Sequence, residues 1–245
     1  SGGGFVGFTW NGSSWISNSS ETKNLSVPGG ITKTTPVVFF RNNNWTLITG
    51  SQPGTFYGFT WNGSEWKLNA SEINGLSSSF DHVTSLTVFN KSNNWTLIYG
   101  AQEGTFTGYT WNNSLWTANS SEVNGLLSMG ANTYTRPTVF NKSNNWTLIS
   151  GNYSGQFTGY TWNGSKWIPN YREASGLYDV GFYSYPTVFN KSNNWTLISG
   201  EQDGLFYGFS NLLQQDAPQI ITPYNNSYQN NFTLNLSWTE LTTYG

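Results

Sequence analysis

The chain contains no cysteine, one histidine and one methionine, and only 9% of its residues are charged. Without cysteine, no disulfide can brace the fold and thiol chemistry is excluded. With a single His as well, a zinc centre lacks ligands. Lys and Arg total 10 against 12 Asp and Glu, with no basic run. Nucleic-acid binding needs clustered cations to neutralise phosphates, so it is excluded too. No apolar run approaches the about 20 residues of a membrane-spanning helix. There is no signal peptide and no initial Met. The chain therefore reads as a mature product or a piece of something longer.

Aromatic residues are abundant, at 18% of the 245 residues. They recur with a fixed step. Asn-Trp-Thr-Leu-Ile appears four times, with its Trp at 45, 95, 146 and 195. A second segment, Gly-Phe/Tyr-Thr-Trp-Asn, places Trp10, Trp61, Trp111 and Trp162 at the same spacing, each followed five residues later by Trp15, Trp66, Trp116 and Trp167. A degraded copy runs Gly208-Phe209-Ser210-Asn211. Each unit reads as four short strands, here called A to D. They resemble Thr138–Phe140 (A), Trp146–Ser150 (B), Gln156–Trp162 (C) and Lys166–Ile168 (D). Asn-Gly between C and D (Asn62-Gly63, Asn163-Gly164) is the residue pair of a type I′ hairpin. Gly54, Gly104 and Gly204 end the B–C links. No sustained helical period is present, so almost no helix is expected. Four antiparallel strands per about 50 residues is the blade of a β-propeller. The predicted fold is all-β: a propeller of about five four-stranded blades, then the first strands of a β-sandwich. Most Trp side chains are expected to form blade-to-blade core.

Pro-Thr-Val-Phe, a short loop, Trp-Thr-Leu-Ile-Ser-Gly, a turn and Gly-x-Phe-x-Gly together resemble the FG-GAP/VCBS-type propeller repeat over residues 36–209. That resemblance implies a calcium site in the A–B loop. Here the loop reads Asn141-Lys142-Ser143-Asn144-Asn145, without a carboxylate, and the site is not carried over. The low charge and dense Asn, Ser and Thr also look like surface proteins of thermophilic archaea or their viruses.

The propeller is assigned to residues 1–213: a partial blade at 5–18, blades at 36–70, 86–120 and 136–170, and an incomplete blade at 186–209. Because the chain opens at strand C and closes after strand C, it is expected to be a window onto a longer chain. Residues 214–245 read as a linker and first strands. Phe232–Trp238, which alternates apolar and polar, is similar to the opening of a fibronectin type III or Ig-like domain. Such strands need the rest of a sandwich or a partner subunit.

Nineteen Asn-x-Ser/Thr sequons occur. Asn90, Asn141 and Asn190 fall in the A–B loop, Asn44, Asn94, Asn145 and Asn194 before strand B, and Asn62, Asn112 and Asn163 in the C–D turn. Asn18, Asn69 and Asn119 follow strand D. Asn11, Asn24, Asn152, Asn225, Asn231 and Asn235 complete the set. Asn suits turns for its own reasons, but that accounts less well for Ser or Thr two residues on. N-linked sugars are therefore expected, covering mainly the A–B/C–D end and keeping a weakly charged surface wet.

His82 beside Asp81 suggests a solvated loop rather than a relay. Glu103, Glu122, Glu201 and Asp203 are the acids from which a glycosidase pair could be drawn, but no repeated position is taken to supply an acid in every unit. The B–C turns, with Glu103, Tyr153, Glu201 and Asp203, are the candidate ligand face. No cofactor is expected beyond covalent glycans. The expectation is a non-enzymatic, extracellular, N-glycosylated structural or adhesive module of a cell-surface layer, fibre or appendage. The alternatives are the receptor-binding spike or fibre of an archaeal virus, or a lectin propeller. Expected partners are other surface or appendage subunits, or glycans.

Overall fold

A computed structural model describes residues 5–28, 32–52, 54–77, 83–130, 132–191, 194–210, 220–222 and 237–238. The chain divides into two compact units, Ser1–Leu212 and Leu213–Gly245. In the first, each repeat folds as an antiparallel meander. The N-terminal hairpin is β1 (Phe8–Trp10) and β2 (Trp15–Ser17). Blade I is β3 (Thr32–Arg41), β4 (Asn44–Gln52), β5 (Phe56–Trp61) and β6 (Trp66–Leu68). Blade II is β7 (Val83–Lys91), β8 (Asn94–Ala101), β9 (Phe106–Trp111) and β10 (Trp116–Ala118). Blade III is β11 (Arg136–Lys142), β12 (Asn145–Gly151), β13 (Phe157–Trp162) and β14 (Trp167–Pro169). Among the described residues blade IV has three strands: β15 (Tyr185–Lys191), β16 (Asn194–Gly200) and β17 (Phe206–Ser210). The first strands of successive blades contact one another, so β3, β7, β11 and β15 are the innermost strands of a propeller-like array. Four 3-10 turns follow the D strands, and no α-helix occurs among the described residues.

The repeat packs this way because the B strand is buried on both faces. In β8, Leu97 and Tyr99 join a core cluster with Phe39 and Ile48 of blade I. Ile98, between them and facing the opposite way, joins Leu148, Tyr160 and Trp167 of blade III. Several Trp residues lie between blades, whereas Trp10, Trp15 and Trp45 are exposed. Trp95 packs on Phe39, Trp146 on Phe89 and Trp195 on Phe140, with ring centroids 5.0–5.2 Å apart.

A second, polar staple repeats beside this core. The indole N–H of Trp66, Trp116 and Trp167 donates 2.8 Å bonds to the carbonyls of Glu21, Glu72 and Glu122 in the preceding unit. The backbone N–H groups of the same three Trp bond Lys23, Asn74 and Asn124. The Glu side chains of the blades pair with the cation ending the first strand: Arg41 with Glu72, Lys91 with Glu122 at 2.5 Å and Lys142 with Glu173 at 2.8 Å. Arg41 and Lys91 also lie over the rings of Trp111 and Trp162 in the next blade, 3.8 and 3.9 Å from the centroids. Glu21, Glu72, Glu122 and Glu173 therefore do form a repeated acidic position, contrary to expectation. Their carboxylates are structural because each following 3-10 turn lays the Glu across its own sheet. Glu122 is thereby removed from the pool of possible catalytic acids.

Two turn expectations also change. Asn62 and Asn163 keep negative φ, and only Gly63 (φ 97°) and Gly164 (φ 99°) are left-handed. Trp61 pairs with Trp66, which makes this a four-residue loop rather than a type I′ turn. Its Asn works through the side chain: Asn62 Oδ1 accepts from the Ser64 and Glu65 N–H groups and from the Ser64 hydroxyl. The consecutive left-handed pair lies in the A–B turns instead, at Asn42-Asn43, Ser92-Asn93 and Ser143-Asn144.

The N-terminal hairpin docks on blade I through the same Trp staple, and β17 pairs only with β16 among the described residues. In the second unit, Ile220–Thr222 pairs antiparallel with Ser237–Trp238. The rest of the expected sandwich segment, with Asn225, Asn231 and Asn235, lies outside the described residues, as do Asp81 and His82.

The staple makes a direct test possible. Gly125 and Gly176 occupy matching left-handed positions (φ 86° and 81°), so alanine at either costs about 1–2 kcal/mol in backbone strain. A Cβ on Gly125 would also meet the Trp167 carbonyl at 2.1 Å, whereas one on Gly176 meets no described residue within 4 Å. Gly125→Ala is expected to destabilise the protein by at least about 1 kcal/mol more than Gly176→Ala. Denaturant unfolding measures the difference, and equal losses would contradict the inter-blade contact.

Candidate functional site

The B–C turns of blades II and III meet the loops that enter the next blade. In blades III and IV this junction is built by one device. The residue before the inner strand, Thr135 or Ser184, is fully buried and plugs the preceding B–C turn. The Ala101 N–H donates to the Thr135 hydroxyl at 3.1 Å, and the Thr135 hydroxyl donates to the Thr105 carbonyl at 2.8 Å. The Asn152 N–H likewise donates to the Ser184 hydroxyl at 2.9 Å. The residue before each plug is a Tyr held in the left-handed region: Tyr134 at φ 52° and Tyr183 at φ 63°. Bulky residues rarely adopt this conformation, and it persists only where surroundings impose it. Here the backbone bonds from Tyr134 to Gln102 and from Tyr183 to Tyr153 do so.

The strained pair belongs to an aromatic cluster. Tyr153, in the blade III B–C turn, sits 5.9 Å from Tyr134, 5.3 Å from Phe182 and 4.8 Å from Tyr183. Arg136, the first residue of β11, runs beneath the cluster, with its guanidinium 4.8 Å from the Tyr183 centroid and 4.1 Å from that of Tyr185. It is 2% exposed. Its Nε and Nη1 are buried without a hydrogen-bond partner. Burial lowers the Arg136 pKa below its ordinary value, and the surrounding tyrosines oppose that shift. Phe182 and Tyr185 remain exposed and form the outer surface of the cluster.

Of the four residues expected to form a ligand face, Tyr153 is in this cluster. Glu103 is half-buried in the blade II B–C turn, and its Oε2 is buried without a partner. Glu201 shapes its own turn instead, accepting the N–H groups of Asp203 at 3.0 Å and Leu205 at 3.2 Å. Asp203 is exposed. Asp179 joins the same end and caps the Gly181 N–H. None of these four acids forms an ion pair with a described residue, whereas the Glu residues at 72, 122 and 173 all do. Sequence reasoning missed Arg136 and the two strained tyrosines. Their signal is that they break the repeat: opposite Gly50, Gly100, Gly151 and Gly200 stand Thr35, Ser85, Arg136 and Tyr185. No group of three His, Cys, Asp or Glu able to hold a metal occurs among the described residues.

The sequons separate by position. Asn44, Asn62, Asn90, Asn94, Asn112, Asn141, Asn145, Asn163, Asn190 and Asn194 are exposed at the A–B/C–D end, away from this cluster. Asn11 and Asn24 are exposed as well, and Asn152 is half-buried. Asn18, Asn69 and Asn119 cap the 3-10 turns through Oδ1 and donate from Nδ2 to Thr9, Thr60 and Thr110. Asn170 makes the same cap although Tyr171 and Arg172 follow it, so the cap alone accounts for Asn there.

The array matches solved structures. The catalytic domain of an alpha-L-arabinofuranosidase from Coprinopsis cinerea aligns with 77% of this chain and 67% of its own length, at 16% identity and a TM-score of 0.57. An alpha-L-arabinofuranosidase from Podospora anserina, solved with cellotriose, aligns with 77% of this chain and 66% of its own, at 15% identity and a TM-score of 0.53. A fructofuranosidase from Schwanniomyces occidentalis, solved with fructose, aligns with 74% of this chain but only 45% of its own, at 14% identity and a TM-score of 0.55. These likenesses establish the fold. No family model and no curated protein matches the chain. The expected reading as a structural or adhesive module, viral spike or lectin, with no enzymatic role, is overturned by these structures. Sugar-cleaving catalytic domains are built on the same array, so the blade repeat is no mark of a passive scaffold.

The cluster has a pH signature. Burial raises the pKa of Tyr134, with Tyr183 adding to the shift, and burial also raises that of Tyr160 in β13. A raised folded value means that the neutral phenols contribute stability below the unfolded value of about 10. That contribution is lost as pH rises through the folded values. Ultraviolet phenolate absorbance of the folded protein is expected to show a late-titrating class of tyrosines, with unfolding midpoints declining only above about pH 10. Titration of every Tyr as in the unfolded chain would contradict the buried cluster.

Proposed function

We propose that this chain is a carbohydrate-active propeller of the glycoside-hydrolase type, working at the B–C/D–A end beside β11 and β15. One observation carries the reading. Glu103, Glu201, Asp203, Asp179, Arg136 and the Tyr/Phe cluster all lie at this end, and its acids pair with no described cation, whereas Glu72, Glu122 and Glu173 elsewhere are neutralised. Aromatic faces fit the C–H faces of sugar rings. Hydrolysis of a glycosidic bond needs two carboxyl groups, one to protonate the leaving oxygen and one to activate water or attack the sugar. Glu103, with an unpartnered oxygen, and Asp203 are the pair this reading selects. They occupy the same turn position two blades apart, either side of the turn bearing Tyr153. The furanosidase folds matched by the chain support a sugar as substrate.

In this reading β1 and β2 are the outer half of a further blade, which gives a five-bladed count. Glycans on the exposed sequons of the A–B/C–D end would leave the working end bare.

The test is reducing-end release from a panel of aryl furanosides, aryl pyranosides and polysaccharides. Release from at least one member is expected, and Glu103→Gln is expected to reduce it about 100-fold or more, the range of a lost acid–base group. No release from any member, or an unchanged rate in Glu103→Gln, would overturn the assignment.

A further inference from the structure

Among the described side chains of the inner strands, every cation but one meets a carboxylate. Arg41, Lys91 and Lys142 end their inner strands against Glu72, Glu122 and Glu173. Arg136 begins its strand, is among the largest fully buried side chains, and has no carboxylate partner among the described residues. A buried cation without a counter-ion is costly, and cation–π contacts with Tyr134, Tyr183 and Tyr185 recover only part of that cost. Two of its nitrogens also lack acceptors. A guanidinium is always charged and keeps a fixed fork of donors, which suits it to paired oxygens of a carboxylate or of a tetrahedral oxyanion. Nor does the fold require Arg here: Thr35, Ser85 and Tyr185 fill the same register position against their glycines in the other blades.

We propose that Arg136 is the receptor for the anionic group, carboxylate or sulfate, of an acidic saccharide. This rests on the reading of this end as a sugar site and specifies its substrate class. The exposed rings of Phe182 and Tyr185 receive the sugar face, while the charged substituent passes between the tyrosines to the guanidinium and supplies the missing counter-ion. Left-handed backbone at Tyr134 and Tyr183, the residues flanking the path, is strain stored where a ligand would enter. Hydrogen bonds to a charged donor strengthen in such a dry setting, so neutral sugars of the same shape bind less well.

Titration calorimetry of the full chain decides the matter, using oligogalacturonate, a sulfated galactan oligosaccharide and a neutral galactan oligosaccharide of equal length. At least one acidic ligand is expected to bind 10-fold or more tighter than the neutral one, with free acetate and sulfate ions far weaker and the preference falling as salt rises. Arg136→Met is expected to abolish the preference while keeping the neutral affinity and an unchanged or higher melting temperature, because an unpaired buried charge is removed at similar volume. Arg136→Lys, which keeps the charge but not the fork, is expected to retain only part of the preference. Equal binding of acidic and neutral sugars by the unaltered protein overturns the Arg136 proposal and leaves the sugar reading standing. Binding of none of them overturns both. Free acetate or sulfate ions binding as tightly as the saccharides make this an ion site and overturn the proposal, as does a full acidic preference surviving in Arg136→Met.

Discussion

The bond from an outer-strand indole to the preceding unit's Glu carbonyl is the interaction on which the rest of the array depends. Trp66, Trp116 and Trp167 each make it at 2.8 Å. It fixes where the 3-10 turn lies, and the turn fixes where its Glu side chain reaches. The Glu neutralises the cation ending the inner strand, and for Arg41 and Lys91 that cation lies on the next blade's Trp. Core packing and charge pairing thus repeat together, and a chain with so few charges spends many of them between its blades. Gly75 and Gly125 let the strands come this close, since a Cβ on either would meet a Trp carbonyl at 2.1 Å.

A scaffold made of repeats also shows where it is not needed. Positions that keep their residue in every unit serve the array. Those that change serve something else, or nothing. On the inner strands the register position opposite glycine is Thr, Ser, Arg and Tyr in turn. The B–C turns differ as well, and at this end the chain tolerates left-handed tyrosines and an unpaired buried cation. Stability has been given up locally, and the repeated staples around the site bear that cost. The proposed location of the site rests on this contrast, and the solved structures the chain matches, at 15–16% identity, establish the fold.

Much of the architecture was legible because it repeats. The fixed step of Trp45, Trp95, Trp146 and Trp195 predicts the blades, and the structure adds that Leu97 and Ile98 bury opposite faces of one strand. The repeated acid escaped notice because its neighbours vary from Ser-Ser-Glu-Thr to Tyr-Arg-Glu-Ala, and because acids were sought in the loops. Asn-Gly misled because a two-residue turn was assumed, while the Trp61–Trp66 pairing imposes a longer loop. In that loop the Ser two residues after Asn bonds the Asn side chain, so its regularity has a folding cause in addition to any sugar. Of the proposed site, Tyr153 and Glu103 are singled out by turn position in the sequence. Arg136 is not, since nothing local marks a single Arg until the strand register places it against the repeated glycine.

We propose that ligand chemistry is confined to the B–C/D–A end, across the B–C turns of blades II, III and IV. Hydrogen–deuterium exchange read by mass spectrometry, with and without a bound acidic oligosaccharide, tests it most directly. New protection is expected in segments 101–105, 129–136, 152–156, 179–185 and 201–205 and none at the A–B turns 42–43, 92–93 and 143–144. Protection centred on those A–B turns, or spread evenly over the blades, would contradict it.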